Sequence, residues 1–148
     1  MSVDTMSKLY ELKNIVGVKD ATGDLKRVDS QLKSMGKEFI QLTGNDDNAL
    51  EFNKRGGVGA IGVTANIAAK LSSDFQKACK KDMDEAVKLD KILQPLHSSL
   101  FIESNPSPVK YAASLLKMCS PSVRLPLVEI RDETKKKVSD ALKSAKLL

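Results

Sequence analysis

Residues 14–24 read NIVGVKDATGD, and the reading of this stretch decides the fold. Ile15, Val16, Gly17 and Val18 make a short apolar run between polar flanks, the pattern of a strand buried on both faces. The run ends on a single lysine, Lys19. An Asp-Ala-Thr-Gly-Asp turn then leads into an amphipathic segment. A lysine at the carboxyl end of a buried parallel strand is costly unless it is paired or used. Burial disfavours its charged form, and a neutral amine is the nucleophile that Schiff-base chemistry with a carbonyl compound requires. The other reading is a lysine that leaves the strand and reaches water, and at this level both stand.

Outward from this stretch, strands and helices alternate. Residues 3–13 read as a helix with Asp4 as N-cap and Met6, Leu9 and Tyr10 on one face. Asp24 is placed to cap a second helix, whose stripe is Leu25, Val28, Leu32 and Met35 and whose end is Gly36. Residues 39–43 form a second strand. The turn GNDDN at 44–48 opens a short helix carrying Ala49, Leu50 and Phe52, closed by Gly56 and Gly57. Residues 58–64, VGAIGVT, read as a third strand, with glycines that fit tight packing or close approach of a ligand. This βαβαβ order implies parallel strands joined by right-handed crossovers. It gathers the loops KDATGD, TGNDDN and TANIA at the strands' carboxyl ends, the face that carries chemistry in α/β folds.

Beyond residue 65 no strand is predicted. Helices are expected over 68–81, 83–103, 109–118 and 130–145, with Pro95 kinking or splitting the second of them. Residues 105–108 (NPSP) read as a rigid turn and 121–126 as an extended linker. His97 has no acidic or cysteine neighbour at a catalytic spacing and reads as a packed or surface residue. Three strands cannot close a barrel, and a parallel sheet needs cover on both faces and partners at its edges. The pattern is therefore that of part of a larger fold.

Composition excludes several classes. With 148 residues, 41% hydrophobic and 29% charged, the chain can bury a core and is not disordered. The net charge of +5 is spread along helices, as surface solvation requires, and not gathered on one face as nucleic-acid binding would need. Cys79 and Cys119 form no CxxC, and the single histidine cannot complete a zinc set with them, so free thiols and no metal are expected. Asp46 and Asp47 read as an N-capping turn in preference to a cation site. The glycine-rich GGVGAIG runs through a strand instead of opening a helix, which is not how a dinucleotide fingerprint is placed. No apolar run reaches the length of a membrane span and no signal-peptide pattern opens the sequence, so a cytoplasmic location without membrane partners is the expectation.

Five segments then occur in register: GVKDATGDL (17–25), LTGNDD (42–47), GGVGAIGVTANIA (56–68), LFIESNPSPVKYA (100–112) and RLPL (124–127). Together they resemble the carboxyl-terminal half of the dihydrodipicolinate synthase (4-hydroxy-tetrahydrodipicolinate synthase) family. That family lies within the class-I aldolase superfamily, which also holds N-acetylneuraminate lyase. The resemblance implies the last three units of a (β/α)8 barrel over residues 1–70 and a helical subdomain over 71–148. A full barrel takes about 250 residues. The resemblance further implies Lys19 as the Schiff-base lysine, with Gly44 and Ile61 lining the pyruvate pocket, the latter through its backbone carbonyl. It implies no cofactor. Its substrates are pyruvate and aspartate semialdehyde, condensed on the way to lysine. The family's proton relay, its arginine for the second substrate's carboxylate and its lysine-inhibition site belong to the amino-terminal half and have no counterpart here. The expectation is thus a truncated or split synthase, poorly active without a complementary half and associating with it or with its own copies. The alternatives are a noncatalytic fragment or another pyruvate-dependent aldolase such as the lyase.

Overall fold

Parallel strands β1 (Gly17–Asp20), β2 (Ile40–Thr43) and β3 (Gly59–Ala60) form one sheet, ordered β1-β2-β3, in the computed structural model, which describes residues 1–148. Gly17 pairs with Ile40, Lys19 with Leu42 and Leu42 with Gly59, so the three strands run level at their carboxyl ends. The chain divides into two units, Met1–Gly62 and Val63–Leu148. The fold is a partial α/β fold with three parallel strands and seven α-helices. None of its helices is long and apolar enough to cross a membrane.

In the first unit, helices α1 (Val3–Tyr10) and α2 (Lys26–Met35) lie on one face of the sheet. Met6, Met35 and Phe39 form a buried cluster there, joined by Val18 and by Tyr10, whose ring meets Phe39 edge-on at 5.0 Å. Gln41 is buried and ties β2 to α2 through Nε2, which donates to the Val28 carbonyl. Alternation along β1 sends Val18 and Asp20 toward these helices and leaves Gly17 and Lys19 on the opposite face. That opposite face carries no helix within the unit. Ile40, which pairs with Gly17, and Ile61 are accordingly exposed.

This corrects the expectation of a strand buried on both faces. The strand begins at Gly17, two residues later than the apolar run, and Lys19 is exposed. The third strand is likewise only Gly59–Ala60 instead of residues 58–64. Gly62 lies past the strand against the carboxylate of the buried Asp46, which leaves no room for a Cβ there, and Thr64–Asn66 already turn as a 3-10 helix. The cap of α1 is Ser2, whose hydroxyl accepts from the Thr5 amide, and not Asp4, which lies in the first turn. Helix α3 (Ala49–Lys54) follows β2, and Gly56, at φ +111°, turns the chain back to β3.

The second unit is helical: α4 (Ala69–Lys81), α5 (Met83–Ser99), α6 (Ser107–Leu115) and α7 (Asp132–Ser144). Helix α5 packs on α4 and on α7, and α7 also packs on α6. Its core is Phe75, Leu93, Leu96, Leu100, Ala112, Val138 and Leu142. Helix α5 runs through Pro95 without a break, so of the expected kink or split the split does not occur. A proline inside a helix costs about 3 kcal/mol, but Leu93, Leu96 and Leu100 stand on both sides of it and are all fully buried. Their packing offsets that cost and keeps the helix continuous across the proline. Asp82 caps α5 by accepting from the Glu85 amide.

The weight placed on that leucine row is measurable. Leu96→Ala is expected to lower stability by about 2–5 kcal/mol, seen as a fall in the urea midpoint with an unchanged slope. Ile92→Ala, on the exposed side of α5, is expected to cost under about 1 kcal/mol.

Candidate active site

The carboxyl ends of the three strands meet the loops that sequence analysis singled out. Lys19 is the next-to-last residue of β1 and its side chain stands on the open face of the sheet. Gly44 directly follows β2. A Cβ built on Gly44 would lie 2.8 Å from Lys19 Cε and 2.6 Å from Ala21 Cβ, so the lysine stem runs across the glycine. Any side chain at position 44 would have to displace it. Leu42 and Gly59 continue the same row across the sheet, and a Cβ on Gly59 would come within 3.1 Å of Leu42 Cδ2. Ile61 lies one residue past β3, and its amide donates to the Thr43 carbonyl at 2.9 Å. Glycines thus clear a floor around the Lys19 side chain, bounded by Leu42 and by the exposed Ile61.

Behind this floor sits a polar cluster that sequence reading passed over. Asp20, next to Lys19 but on the helix-bearing face, is buried. Its Oδ1 accepts from the Thr22 amide at 2.9 Å and the Thr22 hydroxyl at 2.6 Å. Its Oδ2 accepts from Arg27 Nε at 2.7 Å and Gln31 Nε2 at 3.2 Å. The chain of bonds continues through the turn: the Asp24 amide donates to Thr22 Oγ1, and Asp24 Oδ1 accepts from the Lys26 amide at the start of α2. Gly23 completes the turn at φ +77°, a conformation that favours glycine. Burial alone would push the Asp20 carboxyl up, but the hydrogen bonds from Arg27 and Thr22, with the Arg27 charge, outweigh it and bring it down to about 2. The signal in the sequence was the spacing Asp20, Thr22, Asp24, Arg27, Gln31. It joins an Asx-type turn to two residues one helical turn apart on α2.

The second unit holds one buried polar pair, Thr64 Oγ1 and His97 Nδ1, at 2.7 Å. His97 is therefore packed inside α5. A cavity of about 290 Å³ near α6 is lined by Tyr111, Glu129 and Lys135. The lysine there is already paired with Glu129 and Asp132, which leaves no free charge to act on a ligand.

The profile of the Dihydrodipicolinate synthetase family matches residues 1–145, and the chain belongs to that family. It is similar to 4-hydroxy-tetrahydrodipicolinate synthase of Pelagibacter ubique, with 70% identity over the whole chain and 52% of the relative's length. The synthase of Parvibaculum lavamentivorans is 51% identical, again over the whole chain and 51% of its own length. Among solved structures, dihydrodipicolinate synthase of Aquifex aeolicus superposes with a TM-score of 0.94 at 36% identity, covering 99% of this chain and 50% of that one. The chloride-inhibited synthase of Acinetobacter baumannii, solved with pyruvate, gives 0.93 at 37% identity, covering 99% and 51%. The chain thus spans about half the length of the relatives it matches. Each of these relatives carries the synthase name, which favours the synthase over the lyase alternative.

The Asp20 cluster sets a pH dependence. The carboxyl titrates lower in the folded chain than its ordinary value of 3.8. Its contribution is therefore complete above that value and is lost as pH falls through about 2. Relative to Asp20→Asn, the parent chain is expected to hold an advantage of about 2 kcal/mol at neutral pH that shrinks toward zero between about pH 4 and pH 2. Urea unfolding followed by circular dichroism over that range measures it.

Proposed function

We propose that this chain is the carboxyl-terminal half of a 4-hydroxy-tetrahydrodipicolinate synthase and carries its nucleophile, Lys19. The observation that supports this most directly is the passage of the Lys19 stem across Gly44 at the carboxyl edge of a parallel sheet. In this reading the Lys19 amine adds to the ketone carbon of pyruvate and water leaves, giving a Schiff base. Loss of a methyl proton turns it into an enamine, whose carbon attacks the aldehyde of aspartate semialdehyde. Gly44 leaves room for the adduct beside the lysine. Ile61, at the end of β3, offers its backbone carbonyl to the pyruvate end of the pocket. Residues 1–70 are the barrel part and 71–148 the helical subdomain, and a cytoplasmic location belongs to the same reading.

The open sheet face limits what this stretch does by itself. Lys19 is exposed, so nothing within the first unit dries the site or places a base against the enamine carbon. A base and a positioned substrate each contribute orders of magnitude. In this reading they come from the half of the relatives' length that this stretch does not span, from a complementary chain or from the rest of a longer one. Those strands would also cover Ile40 and Ile61. Association with a complementary half, or failing that with a second copy, follows from the same exposed face.

Incubation with pyruvate and borohydride, followed by peptide mass spectrometry, is expected to place the reduced adduct on Lys19. Lys19→Ala is expected to lose it, and Gly44→Ala to slow it by about tenfold. A separately produced amino-terminal half of a related synthase is expected to restore condensation of pyruvate with aspartate semialdehyde, but not to the Lys19→Ala chain. Equal labelling of the Lys19→Ala chain would remove the nucleophile assignment.

A further inference from the structure

We infer that Asp20 is a positioning residue for the Lys19 amine, locking the root of that lysine and the Gly44 loop into one rigid corner. The inference rests on the reading of Lys19 as the nucleophile and concerns what holds it in place. Two sets of bonds meet at this one residue. The Asp20 carbonyl accepts the Gly44 amide at 2.8 Å, which fixes the glycine that the lysine stem crosses. The Asp20 carboxylate takes four donors from the far side of the sheet, two from the turn and two from α2. Rotation of the peptide at the end of β1 would move the Lys19 stem and Gly44 together, and the four donors oppose that rotation.

A carboxylate suits this role for a reason of valence. It accepts four hydrogen bonds and donates none, and here all four contacts are donors. Asparagine has the same shape, but its amide would turn donors toward donors at one end of the cluster. Either Arg27 and Gln31 or the Thr22 pair would lose a partner. The Lys19 stem occupies the space that a Cβ of Gly44 would fill, so its place depends on where the Gly44 backbone stands. A small shift of the strand end therefore carries the stem onto the Gly44 loop or away from it. Misplacement by about 1 Å is enough to cost up to about a hundredfold in rate for an aligned nucleophile.

A purely structural ion pair and a positioning residue separate in the kinetics of trapping. The chain, with a complementary amino-terminal half present, is mixed with pyruvate, quenched with borohydride at successive times, and the Lys19 adduct is counted by mass spectrometry. If Asp20 positions the amine, Asp20→Asn lowers the rate constant by about tenfold or more while labelling still goes to completion. If Asp20 only stabilises the fold, the rate constant falls no further than the folded fraction measured by circular dichroism under the same conditions, which overturns the inference. Arg27→Gln, which keeps both Thr22 bonds, is expected to slow trapping by less than about threefold. Should Asp20→Asn fail to fold by circular dichroism, Thr22→Val removes one donor, the hydroxyl at 2.6 Å, and must slow trapping without reducing its extent. A parent chain that gives no adduct at Lys19 would instead remove the nucleophile reading, and this inference with it. Normal trapping in the parent with an unchanged rate in the variants removes the positioning role alone.

Discussion

Strands that pair in parallel must all end at the same edge, and this constraint arranges the rest of the first unit. A parallel neighbour is reached only by a crossover, so α2 and α3 are obliged to carry the chain back across the sheet. The carboxyl ends of β1, β2 and β3 then stand side by side, with Lys19, Gly44 and Ile61 at or just past them. Residues separated by more than forty positions in sequence thereby share one row. The alternation of side chains does the remaining sorting. Lys19 goes to the open face, while Asp20, its neighbour, goes to the face where α2 supplies Arg27 and Gln31.

Much of this order was legible because period and punctuation agreed. The stripe of Leu25, Val28, Leu32 and Met35, closed by Gly36 at φ +82°, appears as α2 over Lys26–Met35. The apolar runs before KDATGD and TGNDDN appear as neighbouring parallel strands. Strand length was less legible, because an apolar run records side-chain burial, while a strand is defined by backbone pairing. Ile15 and Val16 are apolar but lie before the ladder. Residues 61–64 are apolar or small, yet the last bond to β2 is from the Ile61 amide to the Thr43 carbonyl, and the chain then turns past Gly62 into a 3-10 helix. Pro95 misled for a related reason: a local rule about helix breaking was outweighed by the burial of Leu93, Leu96 and Leu100, which no local window weighs.

The lysine at the strand end and the glycine floor beside it were legible, and the support behind them was opaque. A lone lysine ending an apolar run is an obvious anomaly, and glycines at 44 and 59 advertise a lack of side chains. Asp20 is not anomalous in sequence, because acidic residues are common in turns. Its meaning comes from Arg27 and Gln31, which approach it only after α2 has folded back on β1. Of the two readings left open for Lys19, the lysine that reaches water is the one seen within the first unit, and the doubly covered strand is not. The expectation of such a strand took for granted that both faces of the sheet would be covered, whereas within the first unit the helices cover one.

The uncovered face bears on mechanism. Excluding water from a reacting centre needs walls, and a three-stranded sheet with one bare face has none on the side where the amine projects. What the sheet does supply is geometry, a stem held against a glycine by a strand end that is itself held from behind. In the proposed reading, catalysis is therefore divided by physical type. The strands described here fix where the nucleophile stands, a matter of backbone ladders and the Asp20 corner. In the same reading, dryness and a base come from the part of the relatives' length that these strands do not span. Position of this kind is worth up to about 7–11 kcal/mol when a reacting pair is fully aligned, and little when the partner is free to diffuse. A half of such a site keeps its lysine in place while gaining almost none of the rate, because alignment has value only once the second reactant is held as well.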